Sequence, residues 1–179
     1  MNIRQLPSDF DIEIDRLTHS IENVITGECF PTGIIPLAKN DLPQITKREG
    51  WKFNWKSEFG LSNREIFKLT IIDNPAIIHG LISISIEMGF IEMHLIESAP
   101  FNIGSNKMYY GVPTNLVAFA CKRSFEYGFD GYVAFMAKTV LIEHYKKILG
   151  AVSIGNQRIM IETPQARILV SRYFIDYKF

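Results

Sequence analysis

The chain has 179 residues, 47% of them hydrophobic, and Lys plus Arg equal Asp plus Glu at 19 each. That length supports one domain with a substantial core and is short for two, so residues 1–179 are read as a single domain. Balanced charge sets up no global field for nucleic acid or anionic lipid, which removes both as first expectations.

Residues 1–15 carry Asp9, Asp11, Glu13 and Asp15 and no apolar core segment, unlike a signal peptide. Cys29 and Cys121 are far apart in sequence and are expected to be reduced, small hydrophobes of a cytoplasmic protein rather than a disulfide. Residues 76–100 form the longest apolar region, but Glu87, Glu92 and Glu97 interrupt it and exclude a spanning helix. No metal-ligand spacing is present.

Apolar pieces at residues 21–25 and 33–37, separated by Gly27 and Pro31, place a first strand near one of them. Asp41 can cap a helix over residues 42–46 that Gly50 ends, and Trp51, Phe53, Trp55 and Phe59 follow in an aromatic segment closed by Gly60. Residues 65–72 and 77–87 interleave apolar and polar side chains around the turn signal Asp73-Asn74-Pro75, which predicts a hairpin. Residues 90–97 make a third strand, and its alternation puts Met93 and Leu95 on one face, Glu92 and His94 on the other.

A loop ending in Lys107-Met108-Tyr109-Tyr110-Gly111-Val112-Pro113 leads to a helix. Gly111 gives the backbone freedom, and Pro113 suits a first helical turn, where its missing N–H loses no hydrogen bond. Leu116, Val117, Phe119, Ala120, Cys121 and Phe125 recur at helical spacing until Gly128. Residues 132–137 are short and apolar, as expected of a strand buried on both faces. Thr139 can cap a helix carrying Leu141, Ile142, Tyr145, Ile148 and Leu149, and Gly150 ends it. Residues 151–154 and 158–161 flank Gly155-Asn156 as a hairpin, and Thr163-Pro164 opens a last helix with Ala166, Leu169, Val170, Tyr173 and Phe174 facing inward.

The strand, helix, strand, helix unit of residues 90–150 resembles the GCN5-related N-acetyltransferases, which move an acyl group from acyl-coenzyme A to an amine. That family's pyrophosphate loop reads Gln or Arg, two residues, Gly, one residue, then Gly or Ala, and opens a helix as Met108 to Pro113 does; here only Gly111 matches. Its later helix reads Asn, two residues, Ala, three residues, Tyr, then Gly-Phe. Lys138, Leu141, Tyr145 and Gly150-Ala151 take those places, so Tyr and Gly match and the others do not. The resemblance implies an α/β (α+β) acyl-CoA N-acyltransferase fold, a mixed, mostly antiparallel sheet with helices on both faces. It also implies acetyl-CoA as cosubstrate and a small-molecule or protein amine as acceptor; a homodimer is one assembly open to it.

Coenzyme A carries a pyrophosphate, which suits free N–H groups at a helix start, and a peptide-like pantetheine arm, which suits an exposed strand edge. The first points to Met108, Tyr109, Tyr110, Gly111, Val112, Pro113 and Thr114, the second to Leu95, Ile96 and Glu97. Tyr145 matches the family's proton donor to the departing thiolate, and a buried core tyrosine is its competing reading. No motif specifies a base. Among Glu92, His94 and Glu97 on the bordering strand, Glu97 is nearest the expected divergence of strands and is taken as the candidate, against a merely satisfied strand residue. Trp51 and Trp55 either line the acceptor pocket, as the resemblance implies, or pack the core. The alternative to an enzyme is a catalytically silent module that keeps the fold for binding or assembly; Lys138 and Pro113 favour it, Tyr145 and Gly111 the enzyme.

Overall fold

The computed structural model describes residues 20–137 and 139–179. The expectations on residues 1–15 and Lys138, and on the side chains of Thr139 and Leu141, lie outside the described residues.

The described residues open with a hairpin, β1 (Ser20–Asn23) and β2 (Cys29–Pro36), turning at Gly27 with φ 68°. Both apolar pieces near the start are thus strands. The expected first helix is instead two 3-10 turns, Lys39–Gln44 and Lys47–Glu49. Pro43 lies inside the first and offers no N–H for an α-helical ladder. Asp41 lies within that turn, accepts from the Ala38 N–H and pairs with Lys68 at 2.7 Å. Helix α1 (Trp55–Phe59) is capped by Asn54 and ends at Gly60.

The meander β3 (Glu65–Ile71), β4 (Gly80–Ile86) and β5 (Ile91–Ser98) follows as expected. Next come a 3-10 turn, Pro100–Asn102, and a two-residue strand β6 (Tyr109–Tyr110) that pairs with β1. Helix α2 (Val112–Glu126), β7 (Val133–Met136), α3 (Thr139–Leu149), the hairpin β8 (Val152–Gly155) and β9 (Arg158–Ile161), and α4 (Thr163–Tyr173) complete the chain.

The strands of the described residues join one nine-stranded sheet in the order β6-β1-β2-β3-β4-β5-β7-β9-β8. Among the described residues its single parallel pair is β5 with β7, across the α2 crossover. Strand alternation divides the core between two faces. On one, Leu69, Ile82, Ile84 and Met93 pack with α2, α4 and Tyr145 of α3. On the other, Ile66 and Leu81 pack with Leu37, Ile45, Trp51 and Trp55 from the 3-10 turns and α1. Trp55 is fully buried and Trp51 is 5% exposed, so both tryptophans are core.

Gly80 explains how closely α2 sits. A Cβ there would lie 2.7 Å from Val112 Cγ1, 3.0 Å from Leu116 Cδ1 and 3.2 Å from the Glu97 carbonyl. The first turn of α2 is therefore pressed onto the β4 rung that pairs with Ser98 at the end of β5.

Candidate active site

Strand β5 carries an extra residue. Ser83 faces Leu95, but Ile84 faces Met93, so His94 is a β-bulge. The bulge breaks the alternation read from sequence. Met93 packs on the α2 face, whereas Leu95 packs with the Trp51 and Trp55 cluster, so the two do not share a face. Glu92, opposite Ser85, and His94, bonded to Ser85 Oγ, do share one, on the α1 side.

The bulge is also where β5 and β7 part. Ile91, Glu92 and Met93 pair with Val133, Ala134 and Phe135, after which β7 pairs only with β9 while β5 runs on to Ser98. Ladder phase decides where the free backbone points. The Ala99 N–H bonds to the His79 carbonyl, so in two-residue steps Glu97 and Leu95 spend their amides on β4. Of Leu95, Ile96 and Glu97, only Ile96 turns its N–H and C=O toward the side β7 has left. One extended residue presenting a donor and an acceptor suits an amide-bearing arm.

The expected pyrophosphate segment is divided. Tyr109 and Tyr110 pair with Asn23 and Glu22, while Met108 donates to the Phe101 carbonyl and accepts from the Val24 N–H. A two-residue strand formed by pairing with β1 leaves no periodicity for sequence reading to detect. The helix start therefore begins at Gly111, whose φ of 90° suits glycine. Asn115 N–H bonds back to the Gly111 carbonyl, leaving Val112 and Thr114 as the N–H groups of the first turn, since Pro113 has none. Both are buried, at 1% and 4% exposure. Lys107 sits 4.8 Å from the Tyr110 ring centroid at the outer edge of this turn.

Glu97 is 6% exposed and already occupied. Its carboxylate accepts from the Lys52 N–H at 2.6 Å, the Phe53 N–H at 3.3 Å and Trp55 Nε1 at 2.8 Å. It anchors the segment that leads into α1. Tyr145 is buried with its ring edge-on to Phe135, 5.3 Å between centroids, at the last parallel rung. Tyr145 and Ile96 thus lie near the divergence, whereas Glu97 points into the α1 contact.

The α1 side of the divergence holds a polar cluster that sequence reading did not assemble. Ser83 Oγ donates to Glu58 at 2.6 Å, Glu58 pairs with Arg64 at 3.1 Å, and Glu92 pairs with Arg158. Ser85 Oγ lies 2.5 Å from Glu87 and 2.7 Å from His94 Nε2. Burial raises the pKa of Glu92, with Arg158 opposing, and burial and then Arg64 lower that of His94. Two cavities of about 310 Å³ lie elsewhere, one beside Trp51 and Phe101, the other beside Tyr173 and Tyr177.

No sequence-family profile and no curated protein matches the chain. Solved structures do. Spermidine/spermine N-acetyltransferase SpeG from Vibrio cholerae, in complex with manganese ions, is 14% identical with a TM-score of 0.52, covering 82% of this chain and 97% of that one. The AtaT toxin, bound to the C-terminus of the antitoxin AtaR and acetyl-CoA, is 13% identical with a TM-score of 0.53, covering 77% and 97%. The KacTA–DNA complex is 13% identical with a TM-score of 0.54, covering 82% and 99%. The chain has the acyl-CoA N-acyltransferase fold, a mixed, mostly antiparallel sheet with helices on both faces. More particularly, it is the fold of the GCN5-related N-acetyltransferases.

The three bonds to Glu97 predict a structural effect of neutralising it. Glu97→Gln should destabilise the protein by about 1.5–3 kcal/mol, because it weakens charge-assisted bonds to the buried Trp55 indole and to the part-buried Lys52 and Phe53 amides. Chemical denaturation checks this, and unchanged stability would deny the anchoring role.

Proposed function

We propose that this protein binds acetyl-coenzyme A and transfers the acetyl group to an amine. The observation that carries the reading is the end of the β5–β7 ladder at Met93 and Phe135, with the Ile96 amide turned toward the space beyond. A pantetheine arm laid against Ile96 would continue the sheet where β7 stops, with its thioester near the bulge and Tyr145. Bound acetyl-CoA supplies the activated acyl carbon. Ile96 orients the arm, Gly111 and the N–H groups of Val112 and Thr114 offer the positive end of α2 to the phosphates, and Tyr145 holds a proton for the departing sulfur. The acceptor enters from the α1 side, where the polar cluster lies.

The second reading is a binding module without turnover. The buried first turn of α2 and the missing donor at Pro113 favour it, because phosphates need N–H groups they can reach.

Acetyl-CoA at 100 times its Kd should stabilise the parent by ~2.7 kcal/mol in thermal unfolding. Ile96→Pro removes an N–H that the β4 ladder does not use, and should abolish that shift while costing less stability than Leu95→Pro, which breaks a ladder bond. An undiminished shift in Ile96→Pro would deny the role of the strand edge. No shift in the parent would deny the function.

Tyr145→Phe keeps the ring against Phe135 and should leave acetyl-CoA affinity unchanged while slowing thiol release by ~10²-fold. Parent-like turnover would return Tyr145 to the core.

A further inference from the structure

The base left unassigned by Glu97 can be sought in the polar cluster itself. His94 is the extra residue of the bulge, immediately past the last rung shared by β5 and β7, and its imidazole lies on the α1 side with Ser85. The hydrogen-bond chain around it runs in one direction. Glu87 can only accept, so the Ser85 hydroxyl, 2.5 Å away, donates to it. Ser85 Oγ then accepts from His94 Nε2 at 2.7 Å, which places the ring hydrogen on Nε2. Nδ1 is left with its lone pair, and among the described residues it has no hydrogen-bond partner.

We infer that His94 is the catalytic base for a protonated primary amine, with Ser85 and Glu87 as positioning residues that fix its tautomer. This rests on the acetyl-transfer reading above. The substrate class follows from the surrounding charges. Glu58 of α1 faces Arg64, and Glu92 of β5 faces Arg158 of β9, whereas Glu87 of the β4–β5 turn has no salt-bridge partner among the described residues. That carboxylate, at the end of the chain from His94, stabilises the imidazolium formed in the reaction and attracts a cationic acceptor. Burial, then Arg64 and Arg158, lower the pKa of the imidazole, with Glu58 and Glu87 opposing, which favours the neutral ring that can accept a proton.

The protons balance. The ammonium gives one proton to His94 Nδ1, and the freed amine attacks the acyl carbon. The carbon–sulfur bond breaks, and the sulfur takes the proton of Tyr145. The new amide nitrogen returns its second proton to the phenolate. His94 then loses its proton to water, so one proton is released per amide formed.

The first test needs no turnover. A long-range proton–nitrogen NMR correlation of the free protein should show His94 with Nε2 protonated and Nδ1 bare at pH ~7. Ser85→Ala should shift it toward a mixture of tautomers. His94 protonated at Nδ1 in the parent would overturn the inference.

The second test is the pH dependence of thiol release with a primary alkyl amine. His94→Gln should lower kcat/KM by ~10²-fold or more at pH ~7, and the deficit should shrink as pH approaches the amine's own pKa, where free amine needs no base. Added imidazole should partly restore His94→Ala. A deficit equal at every pH would mark a structural role and overturn the assignment, as would no deficit. His94→Gln should still give the acetyl-CoA thermal shift. A parent with that shift but no His94 dependence refutes only this inference, whereas a parent without the shift refutes the acetyl-transfer reading and this inference together.

Discussion

One added residue in β5 governs the candidate site. The bulge at His94 shifts the strand's phase by one, so Glu97 turns to the α1 face and Ile96 to the α2 face. Without it, the carboxylate that holds Lys52, Phe53 and Trp55 would point into the apolar cluster under α2, where burying an unpaired charge is costly. The same shift sets the amide phase, giving Leu95 and Glu97 to β4 and Ile96 to the open side. It also falls where the parallel rungs end. Strand register and the α1 anchor thus follow from one local irregularity, which coincides with the divergence.

The two faces of the sheet divide the work unequally. Under α2 the packing is apolar and close, with Gly80 making room for Val112 and Leu116. Under α1 the apolar cluster around Trp55 is smaller, and beyond it the sheet face turns polar through Ser83, Ser85, Glu92 and His94. Buried polar groups are tolerated there because they bond to one another: Ser83 to Glu58, Ser85 to Glu87 and His94, and Glu92 to Arg158. In the proposed transfer, such a network would receive a polar acceptor without exposing the core.

Much of this was legible in the sequence wherever periodicity ran long enough. Apolar spacing and the stop near Gly128, which has φ 75°, mark helix α2 in the sequence, and the stop at Gly150, with φ 61°, marks α3. The meander followed from alternation and from the Asp73-Asn74-Pro75 turn. Other features were not legible from local spacing. Tyr109–Tyr110 is a strand only because β1 pairs with it. The 3-10 geometry around Pro43 cannot be told from a short α-helix by spacing alone. The bulge leaves no mark in a period-two reading, which therefore carried Met93 and Leu95 to one face. Glu97 lies near the divergence, but nothing near it in sequence shows that backbone groups forty-odd residues earlier use its carboxylate.

The central claim is that β5 is open toward β7 beyond Met93 and closes on a pantetheine arm there. Residue-resolved amide exchange, with and without coenzyme A, measures this directly. The account predicts that in the free protein the Ile96 amide exchanges far faster than those of Leu95 and Glu97, and that coenzyme A slows Ile96 selectively. An Ile96 amide as protected as its neighbours before ligand is added, or unchanged after, would contradict it.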